Sequence, residues 1–283
     1  MRRLLAEHHV DVVVGFGGYA AAPAYLAAWR SKVPIVVHEA NAKPGIANRL
    51  GARVTKHVGV VYKSTKLSHA RQVGMPLRDE IENLDRHATR GEALQFFGLD
   101  PAKPTVLVTG GSTGARRLND TVSRAAEAII GAGWQILHIT GEKSELNSTS
   151  LAAYHLLKYC DRMDLALSAA DFVVSRAGSA IVSELTALGL PAVLIPYPVG
   201  NGEQKFNATD VVDAGGAELV ADAQFTPAWV RSHVVPLLLD RARIADMAAR
   251  SASVGFRDGA DRMVDLVLSA VPVTPSTTLS EKP

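Results

Sequence analysis

The 283-residue chain holds a single cysteine, Cys160. A disulfide within the chain is therefore excluded, and a reducing compartment is the expectation. Aromatic residues make up only 6% and charged residues 20%, whereas hydrophobic residues reach 47%. No apolar run approaches the ~18 residues that a bilayer-crossing helix needs. The longest, Tyr19 to Trp29, has eleven residues and contains Pro23. Met1 to Leu5 opens like a signal peptide, but Glu7, His8, His9 and Asp11 interrupt the apolar stretch that would have to follow. The histidines show no metal-ligand spacing, and neither H-E-x-x-H nor C-x-x-C occurs, so zinc-site readings lose their support.

Alanine, valine and leucine dominate what is present, as parallel strands covered by helices require. The net charge of +2 hides an asymmetry. Residues 30–71 carry nine Lys/Arg and one acid, Glu39, a formal +8, whereas residues 72–283 sum to −6. A basic first third suits an anionic partner such as phosphate, phospholipid or nucleic acid, or else is a solvated face.

Strand patterns at 10–15, 35–38 and 57–61 alternate with helix patterns at 20–31 and 45–52. The stretch "RQVGMPLRDEI" marks a boundary, and a charged helix over 86–97 leads into the turn "DPAKP". A second series follows: strands at 105–109, 134–140, 155–159, 171–175, 192–197 and 217–221. Helices are expected over 115–131, 161–169, 179–188, 204–214, 226–239, 241–251 and 259–270. Such alternation predicts doubly wound parallel sheets. The implied division is a first domain over 1–77, a second over 78–258, a helix over 259–271 returning to the first, and a disordered Pro/Ser/Thr-rich tail over 272–283.

Three strand-to-helix junctions of the second series carry chemistry. "VLVTGGSTGARRLND" (106–120) runs from strand through glycines into a helix, where free N–H groups and the helix dipole favour an anion. Ser112 adds a hydroxyl donor there, while neither G-x-G-x-x-G nor G-K-[ST] is present. "SRAGSAIVSELTALGLPAVLIPYP" (175–198) places Glu184 early on a helix, where a carboxylate suits a ribose diol; Arg176 is either a phosphate contact or a structural ion pair. "GNGEQKFNA" (200–208) offers Gln204 and Asn207, which either hydrogen-bond sugar hydroxyls or cap the helix. In the first series, Glu39 and Asn41 follow a strand and are expected to face the interdomain cleft, while His38 reads as a satisfied core histidine.

Taken with "GFGGYAAAPAYLAAW", "PIVVHEANAKPGIANRLGAR" and "VGMPLRDEI", these motifs occur in the order and spacing of a known family. Over residues 10–270 the sequence resembles the MurG family of peptidoglycan N-acetylglucosaminyltransferases, especially its actinobacterial members. The resemblance implies an α/β fold of two Rossmann-like domains facing a cleft (GT-B), with the first domain incomplete at its N-terminus. It implies inverting transfer of GlcNAc from UDP-GlcNAc to lipid I, giving lipid II for the cell wall, with no metal or other cofactor. Implied partners are the two substrates, the anionic inner face of the cell membrane, on which the family sits peripherally, and cell-wall or division proteins, but not nucleic acid.

The resemblance also distributes roles. Arg78 and Ser112 would contact the donor diphosphate or nucleotide, and the backbone at Cys160 would read uracil. Ser179, Ala180, Ile181, Val182, Ser183 and Glu184 would line the donor, with Glu184 on the ribose. Gln204 would hold the GlcNAc hydroxyls, Asn41 would meet the transferred sugar or acceptor, and Gly17, Gly18, Tyr19 and Glu39 would serve the acceptor. The family's initial G-G-T-G-G-H loop, with its proposed general-base histidine, has no counterpart here; about 60 residues, two β-α units, would be needed to supply it. The expectations are a mis-set start or truncated gene, a split transferase, or a donor-binding protein without activity of its own. A UDP-sugar epimerase and a nicotinamide dehydrogenase are weaker readings.

Overall fold

The structure, a computed structural model, describes residues 1–111, 115–146, 150–199 and 202–272. The first sheet has strands β1 Val13–Gly15, β2 Ile35–Glu39, β3 His57–Val60 and β4 Ala70–Gln72, all parallel and ordered as in the chain. Helices α1 Arg2–Glu7, α2 Ala21–Ser31 and α3 Ile46–Gly51 belong to it, and Leu5, Tyr25, Ala28, Val37 and Val58 form their shared core. β4 was not expected. It is an edge strand with the sequence Ala-Arg-Gln and no buried residue, so it carries neither alternation nor an apolar run.

The second sheet holds β5 Thr105–Thr109, β6 Gln135–Ile139, β7 Tyr154–Leu157, β8 Phe172–Ser175, β9 Ala192–Leu194 and β10 Ala217–Leu219. All are parallel, in the order β10-β9-β8-β5-β6-β7. Its helices are α4 Asp79–Glu82, α5 Arg86–Phe97, α6 Arg116–Gly131, α7 Met163–Ala169, α8 Ser179–Ala187, α9 Glu203–Asn207, α10 Thr209–Asp213, α11 Pro227–Trp229, α12 Val235–Leu239 and α13 Arg241–Ala252. α14, Gly259–Leu268, returns to the first sheet, where Met263 and Leu266 pack on Val36 and Val73.

Local chemistry explains the element ends. α5 starts where Asp85 accepts hydrogen bonds from the His87 and Ala88 amides and stops at left-handed Gly98. α6 buries Leu118, Val122, Ala125, Ala126 and Ile129, one helical stripe, against the sheet. Two expected helices are broken. The one over 204–214 splits at Ala208 into α9 and α10. The one over 226–239 contains a π-turn at Val230–Val234, because Pro236 has no N–H to close the α-register.

A buried polar group sits inside the second domain. His138 lies between the Tyr154 hydroxyl (2.6 Å) and Asn119 Oδ1 (3.1 Å), and burial pushes its pKa down to about 3. The folded chain thus keeps His138 neutral, while the unfolded chain protonates it near pH 6.5. Below that pH the unfolded state binds the extra proton, so stability falls as pH drops from about 6.5 towards 3. The His138 share is about 2 kcal/mol lost by pH 5. Urea unfolding at pH 7 and pH 5 should show this slope, and His138→Gln should flatten it. A slope unchanged in the variant would remove His138 as its source.

The chain crosses between the domains twice, near residues 74–78 and 254–258. There Gly259 packs so closely that a Cβ would lie 2.2 Å from the Met75 carbonyl oxygen, so only glycine fits. Polar contacts also cross the interface. Ala42 N donates to Asn207 Oδ1 (2.9 Å) and Lys63 N to Asp210 Oδ2 (2.9 Å).

Candidate active site

A cavity of about 800 Å³ opens at the carboxyl ends of β5, β6, β7 and β8. β5 has β6 on one side and β8 on the other, so the cavity lies where the strand order reverses, the crevice that open parallel sheets offer to ligands. Its floor is the β5 turn. A Cβ on Gly110 would meet the Ala115 side chain at 2.4 Å, and Gly111 has φ +85°, so this turn brings bare backbone to the cavity. Ser112 lies outside the described residues.

The opposite wall is the start of α8. Ser179, Ala180, Ile181 and Glu184 line it, and Gly178 precedes them in extended conformation with no side-chain cap. The first amides of α8 are therefore available to an anion. Val182 and Ser183, expected in the same wall, are buried and line a separate small cavity at the domain interface instead. Consecutive residues on a helix point about 100° apart, so a run of six cannot share one face.

Arg78 and Glu184 meet across the cavity, with Arg78 Nη2 to Glu184 Oε1 at 3.4 Å. The Glu184 side chain is 14% exposed, and burial raises its pKa above the usual carboxyl value, with Arg78 opposing. Cys160 is half-buried in the wall and its thiol pKa is raised by burial. Lys158, Tyr159 and Met163 line the cavity beside it; none stands out in the sequence, since the strand pattern over 155–159 takes in the first two and the helix pattern over 161–169 the third.

Arg176 reaches the cavity but is an ion-pair residue. It pairs with Asp222 at 2.6 Å, and Asp222 also takes Arg117 at 2.9 Å. The Arg176 guanidinium sits 5.4 Å from the Tyr197 ring centroid, and Tyr197 N donates to Gln204 Oε1 (2.9 Å). Gln204 is thereby oriented with its amide nitrogen unconstrained by that bond. Asn207 neither caps a helix nor lines the cavity. It is buried and donates to Asn41 Oδ1 (3.2 Å), which puts Asn41 at the domain junction.

Glu39 does not face the cleft. Burial and three donors occupy both its oxygens: Asn41 N on Oε1, Gly45 N and Asn48 Nδ2 on Oε2, each at 2.9 Å. It pins the 39–45 loop from inside. Asn48, which sequence reasoning passed over, is the hub beneath that loop and also bonds Tyr25 and the His38 carbonyl. The available signal was an asparagine on the apolar face of α3. His38 is buried and burial lowers its pKa, but it is only half satisfied: its Nε2 is 3.0 Å from the Gly74 carbonyl, whereas its Nδ1 is buried without a hydrogen-bond partner. Gly17 and Gly18 have φ of 91° and 77°, and Tyr19 beside them is 97% exposed. Among the described residues no cluster of three or more His, Cys, Asp and Glu side chains is placed to hold a metal ion.

The "Glycosyltransferase family 28 C-terminal domain" model matches residues 105–263, and the family's N-terminal domain model matches residues 1–60. The chain belongs to glycosyltransferase family 28. Within family 28 it is 61% identical over 277 residues to the UDP-N-acetylglucosamine--N-acetylmuramyl-(pentapeptide) pyrophosphoryl-undecaprenol N-acetylglucosamine transferase of Clavibacter sepedonicus, covering 98% of this chain and 76% of that protein. The crystal structure of Acinetobacter baumannii MurG matches with a TM-score of 0.80 and 27% identity, over 95% of this chain and 76% of that one. A Neisseria meningitidis UDP-GlcNAc 2-epimerase bound to UDP-GlcNAc matches with a TM-score of 0.69 at 16% identity, over 95% of this chain and 78% of that one; this likeness is of fold alone.

Proposed function

We propose that this chain transfers GlcNAc from UDP-GlcNAc to an undecaprenyl-diphosphate-linked muramoyl pentapeptide, with inversion at the anomeric carbon. The observation that carries this reading is the 800 Å³ cavity, which joins the glycine turn, the open start of α8, Arg78, Glu184 and Gln204. UDP is the leaving group, and negative charge grows on its diphosphate as the sugar departs. Arg78 and the first amides of α8 are the groups that would meet that charge. Glu184 would accept from the ribose diol, Gln204 would donate to the sugar, and the backbone at Cys160 would read the base. Asn41, Gly17, Gly18 and Tyr19 would serve the acceptor from the first domain. The division into an acceptor side over 1–77 and a donor side over 78–258 follows from this assignment.

Two experiments test it. Calorimetry on the full chain should show UDP-GlcNAc binding, and UDP release should require the lipid-linked acceptor. Donor binding without acceptor-dependent release would reduce the chain to a nucleotide-sugar-binding protein. No binding would remove the donor assignment altogether.

We also assign α2 and α3 to the membrane side. Leu26, Trp29, Leu50 and Val54 are exposed large apolar residues on and just after this helix pair, ringed by Arg30, Arg49 and Arg53. Each cation near an anionic lipid surface contributes about 1 kcal/mol. Changing all three arginines to glutamine should weaken sedimentation with phosphatidylglycerol vesicles by about 100-fold, with donor affinity intact. Undiminished vesicle binding would make the stretch an ordinary solvated face.

A further inference from the structure

One phenol joins the cavity to the first domain. Tyr62 follows β3 by two residues and is buried at the domain interface. Its hydroxyl lies 3.1 Å from Ser179 Oγ and 3.4 Å from the Ser179 carbonyl. Ser179 Oγ in turn donates to the Ala40 carbonyl. The direction is then set: Tyr62 donates to Ser179, and Ser179 donates to Ala40. Ser179 is the first residue of α8 and lines the cavity, while Tyr62 and Ala40 both belong to the first domain. Burial pushes the Tyr62 pKa up to about 12, which keeps the phenol protonated and donating.

The surrounding interface is packed: Ala42, Val61 and Tyr62 of the first domain lie in one apolar cluster with Val182, Leu185 and Val211 of the second. A cavity of about 20 Å³ lies directly beside Tyr62, lined by Gln72, Gly74, Ser183, Asp210 and Phe256 from both domains and both crossings. That is room for about one water, and the Ser183 hydroxyl has no hydrogen-bond partner. Within that packing two polar links from the first domain reach Ser179 in the cavity wall, the Tyr62 hydroxyl and the Ala40 carbonyl.

We propose that Tyr62 is a positioning residue for the nucleotide-sugar: its hydroxyl holds Ser179, and with it the first turn of α8, so that donor affinity depends on the first domain being closed on the second. This rests on the donor-site reading above. Neither the fold nor the cavity lining requires a hydroxyl at position 62, since the ring alone fills the same space.

The test uses the full chain with UDP-GlcNAc as the probe in calorimetry. Y62F keeps every ring contact, so its thermal midpoint should stay within about 2 °C of the parent. Its affinity for UDP-GlcNAc should fall about tenfold. In an S179A background, Y62F should cost no more than about twofold further, because the relay is already cut. Hydrogen exchange at the Val182 amide, which donates to the Gly178 carbonyl in the first turn of α8, should be about tenfold faster in Y62F.

An affinity within about twofold of the parent overturns the proposal, as do Y62F and S179A losses that simply multiply. A midpoint lowered by more than about 5 °C makes Tyr62 a residue of general stability and overturns it too. Failure of the unaltered chain to bind UDP-GlcNAc overturns the donor-site reading itself. Binding that Y62F leaves unchanged overturns only the role given to Tyr62.

Discussion

Glu184→Gln should weaken UDP-GlcNAc binding by about 10- to 100-fold while leaving the fold intact. The carboxylate is largely buried in the cavity wall, and its single described contact, Arg78 Nη2, is long at 3.4 Å. Under the donor-site proposal its remaining acceptor positions serve the two adjacent hydroxyls of the ribose. Hydrogen bonds to a charged group contribute about 1.5–3 kcal/mol each when made well. Glutamine keeps the shape but loses the charge and one acceptor oxygen, so the loss appears in binding and not in packing. The pH dependence gives an independent check. Burial raises the Glu184 pKa, so its proton is held to a higher pH than in an ordinary carboxyl group. Donor affinity in the unaltered chain should therefore fall as pH is lowered through that raised value, and E184Q should be flat over the same range. The stability term has the opposite sense. A carboxyl whose folded pKa is raised favours the folded state below that value, and this contribution is lost as pH rises through it. Calorimetric binding titrations from about pH 7.5 downwards read the affinity, with equal affinities in E184Q and parent at the upper end counting against the assignment.

The largest stability effect is expected at Asn48. Asn48→Ala should lower the unfolding free energy by about 3–5 kcal/mol. Asn48 is buried, with Nδ2 donating to the His38 carbonyl and to Glu39 Oε2, both at 2.9 Å, and Oδ1 accepting from Tyr25 at 2.8 Å. Alanine orphans a buried carbonyl and a buried phenol. It also strips one of three donors from a buried carboxylate, and each unsatisfied group costs about 1–3 kcal/mol, more for a charge. The carboxylate is what holds the 39–45 loop, so Asn41 and the Ala42–Asn207 bond should loosen with it. Urea unfolding measures the loss, and a change below about 1 kcal/mol would mean that water replaces the amide at no cost.

Position within the sheet decided which elements were readable. α5 shows a capping aspartate, a charged helix-forming run and a terminal glycine, all local, and its bounds agree with the 86–97 pattern. β5 is a five-residue buried run and agrees as well. β4 offers no such signal, because an edge strand with solvent on its flank can be polar on every residue. The same holds for the site. Cys160, Ser179, Ala180, Ile181 and Glu184 do line one cavity, since each follows a strand whose carboxyl end opens on it, and Arg78 and Gln204 reach it from the segment after β4 and the start of α9. Val182, Ser183 and Glu39 do not, although each is a neighbour in sequence of residues at the cavity or cleft.

The sequence by itself determined the fold class, the second domain's strand-to-helix junctions and the glycine turn, because these depend on periodicity and on which residues tolerate a tight bend. The partners of polar side chains were decided by tertiary structure alone. Asp222 neutralises Arg176 across 46 positions, Asn207 bonds Ala42 across 165, and Tyr62 reaches Ser179 across 117. A buried polar group must find a donor or acceptor somewhere, but chain order does not say where. The folding of the second domain brings Arg176 to Asp222, and the packing of one domain on the other brings the other two pairs within about 3.5 Å, the reach of a hydrogen bond.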